Sequence, residues 1–192
     1  DLRQPARMAG AMIGIACGMG LSVSMITIYA GFDRTIDLTF NVIDRSDVRV
    51  SFTHAASEAT IFELRRMKGV TYVEPVRHVP AVLRHGLASH RGVVSGLAPD
   101  ARLSRALDAD LAEISLEGGG IVLATVLATK LNIQAGDMLT VEVRTGRQPV
   151  LQIPVTAVAE SLLGAPSYMD LATLNRALRE PNRVSGAYLS ID

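Results

Sequence analysis

Hydrophobic positions fall first into one long run and then into short periodic ones. No residue between Arg7 and Asp33 is charged, so Met8–Phe32 is an apolar stretch of about 25 residues. A bilayer core about 30 Å thick needs roughly 20 helical residues, so this stretch predicts a membrane-spanning helix with room to tilt. Directly after it, Ile36, Phe40 and Ile43 recur at i, i+4 and i+7 within Asp33–Asp44, and no Pro or Gly interrupts them. That spacing is the apolar stripe of an amphipathic helix, so a helical stalk continuing the span is expected.

Further on, the period shortens to two. In Asp47–Phe52, Val48, Val50 and Phe52 alternate with Arg49 and Ser51, which reads as a half-buried strand. A helix follows Ser57 through Lys68, with Ile61, Leu64 and Met67 on one face and Gly69 as its stop. Strands are expected at Val70–Glu74 and Val76–Arg84, parted by Pro75, and at Arg91–Leu97. A short helix is expected at Ala101–Leu107 after Pro99-Asp100, then a flexible turn at Gly118-Gly119-Gly120. Next come strand Ile121–Leu123, helix Ala124–Leu131, and strands Met138–Arg144 and Val150–Val158, joined through Thr145-Gly146-Arg147 as a hairpin. Pro166 breaks the chain before helix Asp170–Leu178, and Ala187–Ile191 closes as a strand. The fold class is α+β: a transmembrane helix and stalk over 1–46, then a mixed α/β domain over 47–192.

Composition adds orientation and removes some functions. The positive mean hydropathy comes mostly from the N-terminal run. Arg3 and Arg7 precede the span, and Asp33, Arg34 and Asp37 follow it, so the positive-inside rule puts the N-terminus in the cytoplasm and the domain outside. A cleaved signal peptide is the rival reading, but its apolar region runs about 7–15 residues, and no small-x-small cleavage site follows here. Basic and acidic residues balance at 19 each, aromatics are 4% and Trp is absent. A nucleic-acid groove needs a basic field and often stacking rings, so no nucleic-acid partner is expected. Cys17 is the only cysteine, which excludes a disulfide within one chain. Gly14-Ile15-Ala16-Cys17 loosely resembles a lipidation site, yet apolar sequence continues past it, and the plainer reading is a small side chain in a membrane helix. Gly10, Gly14 and Gly18 form a doubled GxxxG, which lets two membrane helices approach closely.

Catalytic patterns are scarce. Gly118–Gly120 runs into Ile121-Val122-Leu123 with no Lys, so no phosphate loop is present and this chain itself is expected to bind no ATP or other cofactor. Ser95-Gly96 lacks the frame of a nucleophile elbow. His54, His78, His85 and His90 have no metal-ligand spacing and read as solvated histidines. Asp108, Asp110, Glu113 and Glu117 surround a turn and read as a solvated edge. An enzyme is therefore not expected.

The order of segments nonetheless resembles a known family. Arg3-x-Pro5-x-Arg7 before a glycine-rich span is similar to the opening of a MacB-like/FtsX-like ABC transporter permease. So are Leu64-Arg65-Arg66-Met67-Lys68-Gly69-Val70 with Val73-Glu74-Pro75, Gly96-Leu97-Ala98-Pro99-Asp100, Gly120-Ile121-Val122-Leu123 with Ala135-Gly136-Asp137, and Tyr168-Met169-Asp170-Leu171. The resemblance implies an extracytoplasmic domain of two subdomains, an α/β one from 47–98 plus 166–192 and a β-rich one from 99–165. It implies a bacterial inner-membrane permease, a partner ATPase that binds the ATP, and a second permease unit or copy. Motion would be transmitted across the membrane to lipids, lipoproteins, peptides or drugs, with Ile36, Phe40 and Ile43 on the coupling stalk. The family unit has four membrane helices, so the chain with its one expected span reads as part of a longer permease; "DRSDVRVSF" and "SGAYLSID" resemble permeases with two such units. The alternative is a membrane-anchored sensory or ligand-binding domain.

Overall fold

The computed structural model describes residues 5–37, 46–108, 111–161 and 164–192. Contacts divide the chain into two compact units, Asp1–Val42 and Ile43–Asp192.

The first unit is one helix, α1 (Pro5–Asp37, 33 residues). Pro5 suits a first helical position because an N–H there has no partner within the helix. Met8–Arg34 is 27 residues long, apolar, and not buried. At 1.5 Å per residue it reaches about 40 Å, more than a bilayer core requires. Its hydroxyls turn back onto the helix: Ser22 donates to the Gly18 carbonyl, Ser24 to Gly20 and Thr27 to Val23, at 2.9, 2.8 and 2.9 Å. Those bonds leave few polar groups unsatisfied in a lipid environment. Phe40 and Ile43 of the expected stalk lie outside the described residues; Ile36 is exposed on the last turns of α1.

In the second unit, eight strands and three short helices are described. They are β1 (Val48–Ser57), α2 (Ala59–Arg65), β2 (Val70–His85), β3 (Ala88–Leu97), β4 (Ile121–Ala124) and α3 (Thr125–Leu131). There follow β5 (Met138–Val143), β6 (Val150–Ala159), β7 (Ser167–Asp170), α4 (Leu171–Ala177) and β8 (Arg183–Ile191). The strands run β1-β8-β2-β3-β7-β4-β6-β5, and β5 returns to pair with β2. Six strands, β2 to β5 in that order, therefore close into a ring. A closed ring has no bare edge along its circuit.

β2 organises both parts of the sheet. Val70–Val76 pairs with β8, and Ala81–Arg84 pairs with β5. Because Val76–His85 pairs with β3 on the opposite edge, β8 and β5 follow one another along the same edge. Pro75 does not break this strand, contrary to the sequence expectation. It lies one residue before the β3 ladder begins, so no β3 partner is deprived of a donor. Pro80 falls in the interval between β8 and β5 for a similar reason.

Three apolar clusters hold the unit. The largest fills the ring with Leu83, Ile121, Leu123, Leu139, Val141 and Met169, joined by Leu127 and Leu131 of α3 and Leu174 of α4. Each such side chain contributes about 1.5–3 kcal/mol when fully buried. A second cluster gathers Leu103, Ala106 and Leu116 against Val76, Leu97 and Tyr188. A third packs Ile61 of α2 on Val73, Val184, Ala187 and Leu189. Strands from both expected subdomains enter the ring: β4, β5 and β6 from 99–165, and β2, β3 and β7 from the remainder. Alternation marks which side of a strand is buried but not which strand lies beside it, so the division at 98/99 and 165/166 does not correspond to separate sheets.

Two local expectations are corrected. Ala101–Leu107 is not a helix. Asp108 N–H donates to the Ala112 carbonyl and Ile114 N–H to that of Ala106, so the segment folds across onto 112–114. Glu74, buried in β2, accepts from the amides of Arg102, Leu103 and Ser104. Gly118-Gly119-Gly120 is more constrained than a flexible turn: Gly118 and Gly119 have positive φ, and a Cβ on Gly120 would lie 2.3 Å from the Pro154 carbonyl oxygen. β7, unforeseen from sequence, joins β3 and β4.

Candidate functional site

The glycines singled out from sequence lie on one face of α1. Successive i+4 steps rotate by only about 40°, so Gly10, Gly14 and Gly18 form a narrow stripe. A Cβ at any of the three would meet nothing within 4 Å. Cys17 is a free, exposed cysteine on the same helix.

In the second unit, the interval along β2 opens a cleft. Arg77, His78 and Val79 lie where β8 has left β2 and β5 has not yet joined it. One wall is the β5–β6 turn, with Thr145, Gly146 and Arg147; another is the α4–β8 connection from Leu178 to Pro181. The third comes from β1, which advances five residues from Ser51 to Ala56 while β8 moves two, from Gly186 to Val184. The extra residues bulge, and Phe52–Ala55 turn toward the cleft. Its volume is about 860 Å³.

A cluster at the cleft joins Arg77 and Asn175, both buried, with half-buried Glu180. Arg77 Nη1 donates to Asn175 Oδ1 and its Nη2 pairs with Glu180. Asn175 Nδ2 donates to the Arg183 carbonyl at 3.0 Å. The guanidinium and carboxylate thus neutralise each other where hydration is poor, and Asn175 supplies another acceptor. In the interval, His78 N–H donates to Ser185 Oγ at 2.7 Å in place of a strand partner. The His78 ring bridges Ser95 Oγ and the Tyr188 hydroxyl, at 3.1 and 3.3 Å. Although the residue reaches solvent, lost hydration around its ring lowers its pKa below the ordinary value, and the Arg49 charge acts in the same direction. Ser95 is its cross-strand partner. Tyr188, not a carboxylate, occupies the far end, so the group lacks the acid that orients the base in a Ser-His-Asp triad.

The remaining expected residues scatter. His54 reaches the cleft, whereas His85 contacts the Leu131 carbonyl and His90 contacts Lys130 Nζ, both beside α3. Among the described residues, no three His, Cys, Asp or Glu side chains assemble as a metal site. Asp108 accepts from the Ala112 amide, Glu113 pairs with Arg105 at 3.4 Å, and Glu117 is exposed. Asp110 lies outside the described residues. Arg77, Arg147, Arg179, Glu180 and Arg183 were not singled out from sequence. Their Gly- and Pro-containing turns were legible, but they lie far apart along the chain, with Arg77 and Glu180 separated by 103 positions, and gave no sign that they line one cleft.

No protein-family model and no curated protein matches the chain. Among solved structures, it is similar to the extracellular domain of the noncanonic ABC-type transporter YknZ from Gram-positive bacteria. Identity is 15%, coverage is 72% of this chain and 74% of that one, and the TM-score is 0.49. It is also similar to the periplasmic region of MacB from Actinobacillus actinomycetemcomitans, at 13% identity, covering 73% of this chain and 67% of that one, with a TM-score of 0.45.

Proposed function

We propose that the chain forms the first membrane helix and outer domain of an ABC-type transporter permease. The observation that carries this reading is the pairing of an unburied 27-residue apolar helix with a following unit that has its own cores. The order of family-like segments along the sequence favours a permease over other membrane-anchored proteins. In this reading the N-terminus is cytoplasmic, and a separate ATPase binds ATP on that side. The bare glycine face of α1 packs against a helix of another permease unit or copy, because small side chains let backbones approach and make extensive van der Waals contact. Work done by the ATPase reaches the outer domain through α1, and the substrate is moved outside the inner membrane.

The test is assembly. The full-length native protein, isolated in mild detergent, should carry an ATPase subunit, and Gly14→Leu should disrupt helix packing while preserving the outer domain's circular dichroism. This chain alone should hydrolyse no ATP. Normal assembly and transport by Gly14→Leu would remove the proposed packing face, and ATP turnover by the isolated chain would overturn the division of labour. A membrane-anchored ligand-binding domain is the second reading, favoured by the cleft beside β2.

A further inference from the structure

We propose that the cleft beside β2 binds a phosphate monoester carrying an apolar group. Four arginines line it, Arg77, Arg147, Arg179 and Arg183, against the single carboxylate of Glu180. That carboxylate is engaged by Arg77. Arg183 donates from Nη1 to the Ala55 carbonyl at 2.8 Å, which tethers it without neutralising its charge. Arg147 and Arg179 are exposed and have no ion pair among the described residues. Three further guanidinium charges, one from the β5–β6 turn and two from the α4–β8 segment, therefore face one cavity whose single carboxylate is already paired with Arg77.

Guanidinium favours this ligand chemistry because its planar donors match phosphate oxygens in pairs. The apolar requirement comes from Phe52, Val79 and Leu178, which line the same cleft. Its volume, about 860 Å³, lies within the range of small-molecule sites. The Arg77–Asn175–Glu180 cluster holds the α4–β8 connection against β2, so that wall is already positioned before a ligand arrives. A metabolite-like phosphate and a lipid phosphate share this chemistry and differ in their source. The inference is independent of the permease reading, since it requires neither an ATPase nor a second membrane helix.

Isothermal titration of the full chain in dodecyl maltoside, using phenyl phosphate as the probe, tests the site. Phenyl phosphate should bind at least 10-fold more tightly than inorganic phosphate or benzyl alcohol, with affinity falling as salt rises. Arg147→Ala combined with Arg179→Asn should weaken binding at least 10-fold. Asn suits the left-handed backbone at 179, where φ is +54°, and both positions are exposed, so folding should persist. Arg66→Ala, at the C-cap of α2 and outside the cleft, should leave binding unchanged. Phosphatidic acid vesicles that compete with phenyl phosphate, where phosphatidylcholine vesicles do not, would assign a lipid source; absence of competition would assign a soluble one. Either result accompanies a functioning site. Equal binding by the double arginine variant, or no preference for phenyl phosphate over inorganic phosphate, would overturn the proposal. ATPase assembly would still report separately on the permease reading.

Discussion

Replacing Glu74 with Ala removes one acceptor group from three backbone donors. Glu74 is 2% exposed and accepts from the amides of Arg102, Leu103 and Ser104 at 2.6, 2.9 and 3.1 Å. Hydrogen bonds to charged groups contribute about 1.5–3 kcal/mol each, but their sum is not the expected loss. Arg102 is exposed and Ser104 half-buried, so water can replace part of those bonds, while Leu103 is buried. Removing the buried charge also recovers some desolvation cost. A net destabilisation of about 3 kcal/mol is expected, dominated by the dry Leu103 amide. For a unit of this size that corresponds to a fall of about 6–12 °C in Tm. Glu74→Gln, which keeps one acceptor oxygen, should lose about half as much. Circular dichroism melting gives the stability change, and hydrogen exchange should locate it. Amides in 102–116 should exchange faster, while β5 and β6 retain protection below the melting transition. A Glu74→Ala protein within 0.5 kcal/mol of the parent, about the scale of an ordinary surface substitution, with unchanged exchange over 102–116, would refute the argument.

Other perturbations probe different parts of the molecule. Gly120→Ala should cost at least about 2 kcal/mol, measured by thermal melting, because the new Cβ would meet the Pro154 carbonyl oxygen at 2.3 Å; parental stability would mean that the β4–β6 contact yields. His78 is held below its ordinary value of 6.5, so the folded state binds fewer protons than the unfolded state as pH falls below that value. Its stability contribution is complete above pH 6.5 and is lost as pH drops through the lowered folded value. Tm should therefore fall on acidification below neutrality, and His78→Asn should flatten that part of the profile; an unchanged slope would assign it to other groups. Finally, a cysteine at Ser89 in a Cys17→Ala background should react with a membrane-impermeant reagent in cells whose outer barrier is opened. Labelling only after the inner membrane is breached would reverse the proposed orientation.

The sequence alone determined the elements whose burial pattern is local. Met8–Phe32 could be recognised because a membrane span is encoded by length and the absence of charge. The β5–β6 hairpin was legible from Leu139, Val141 and Val143 alternating before a Gly-containing turn, and α4 from Leu171, Leu174 and Leu178 on one face; the structure adds Asp170 as its cap. The tertiary structure decided which elements became neighbours. Pro75 looked like a strand break because its missing N–H is visible in sequence, whereas the absence of β3 beside it is not. Ala101–Leu107 followed the helix-start signal Pro99-Asp100, but its environment includes the Glu74 carboxylate and the backbone of 112–114. β7 is only four residues long and gains its place from β3 and β4 on either side. The cleft is the furthest from sequence reading: Arg77, Arg147 and Arg179 meet because β8 and β5 share one edge of β2 and leave an interval between them. Periodicity records the face that a strand buries; only the placing of β8 and β5 along β2 determines where its edge is left uncovered.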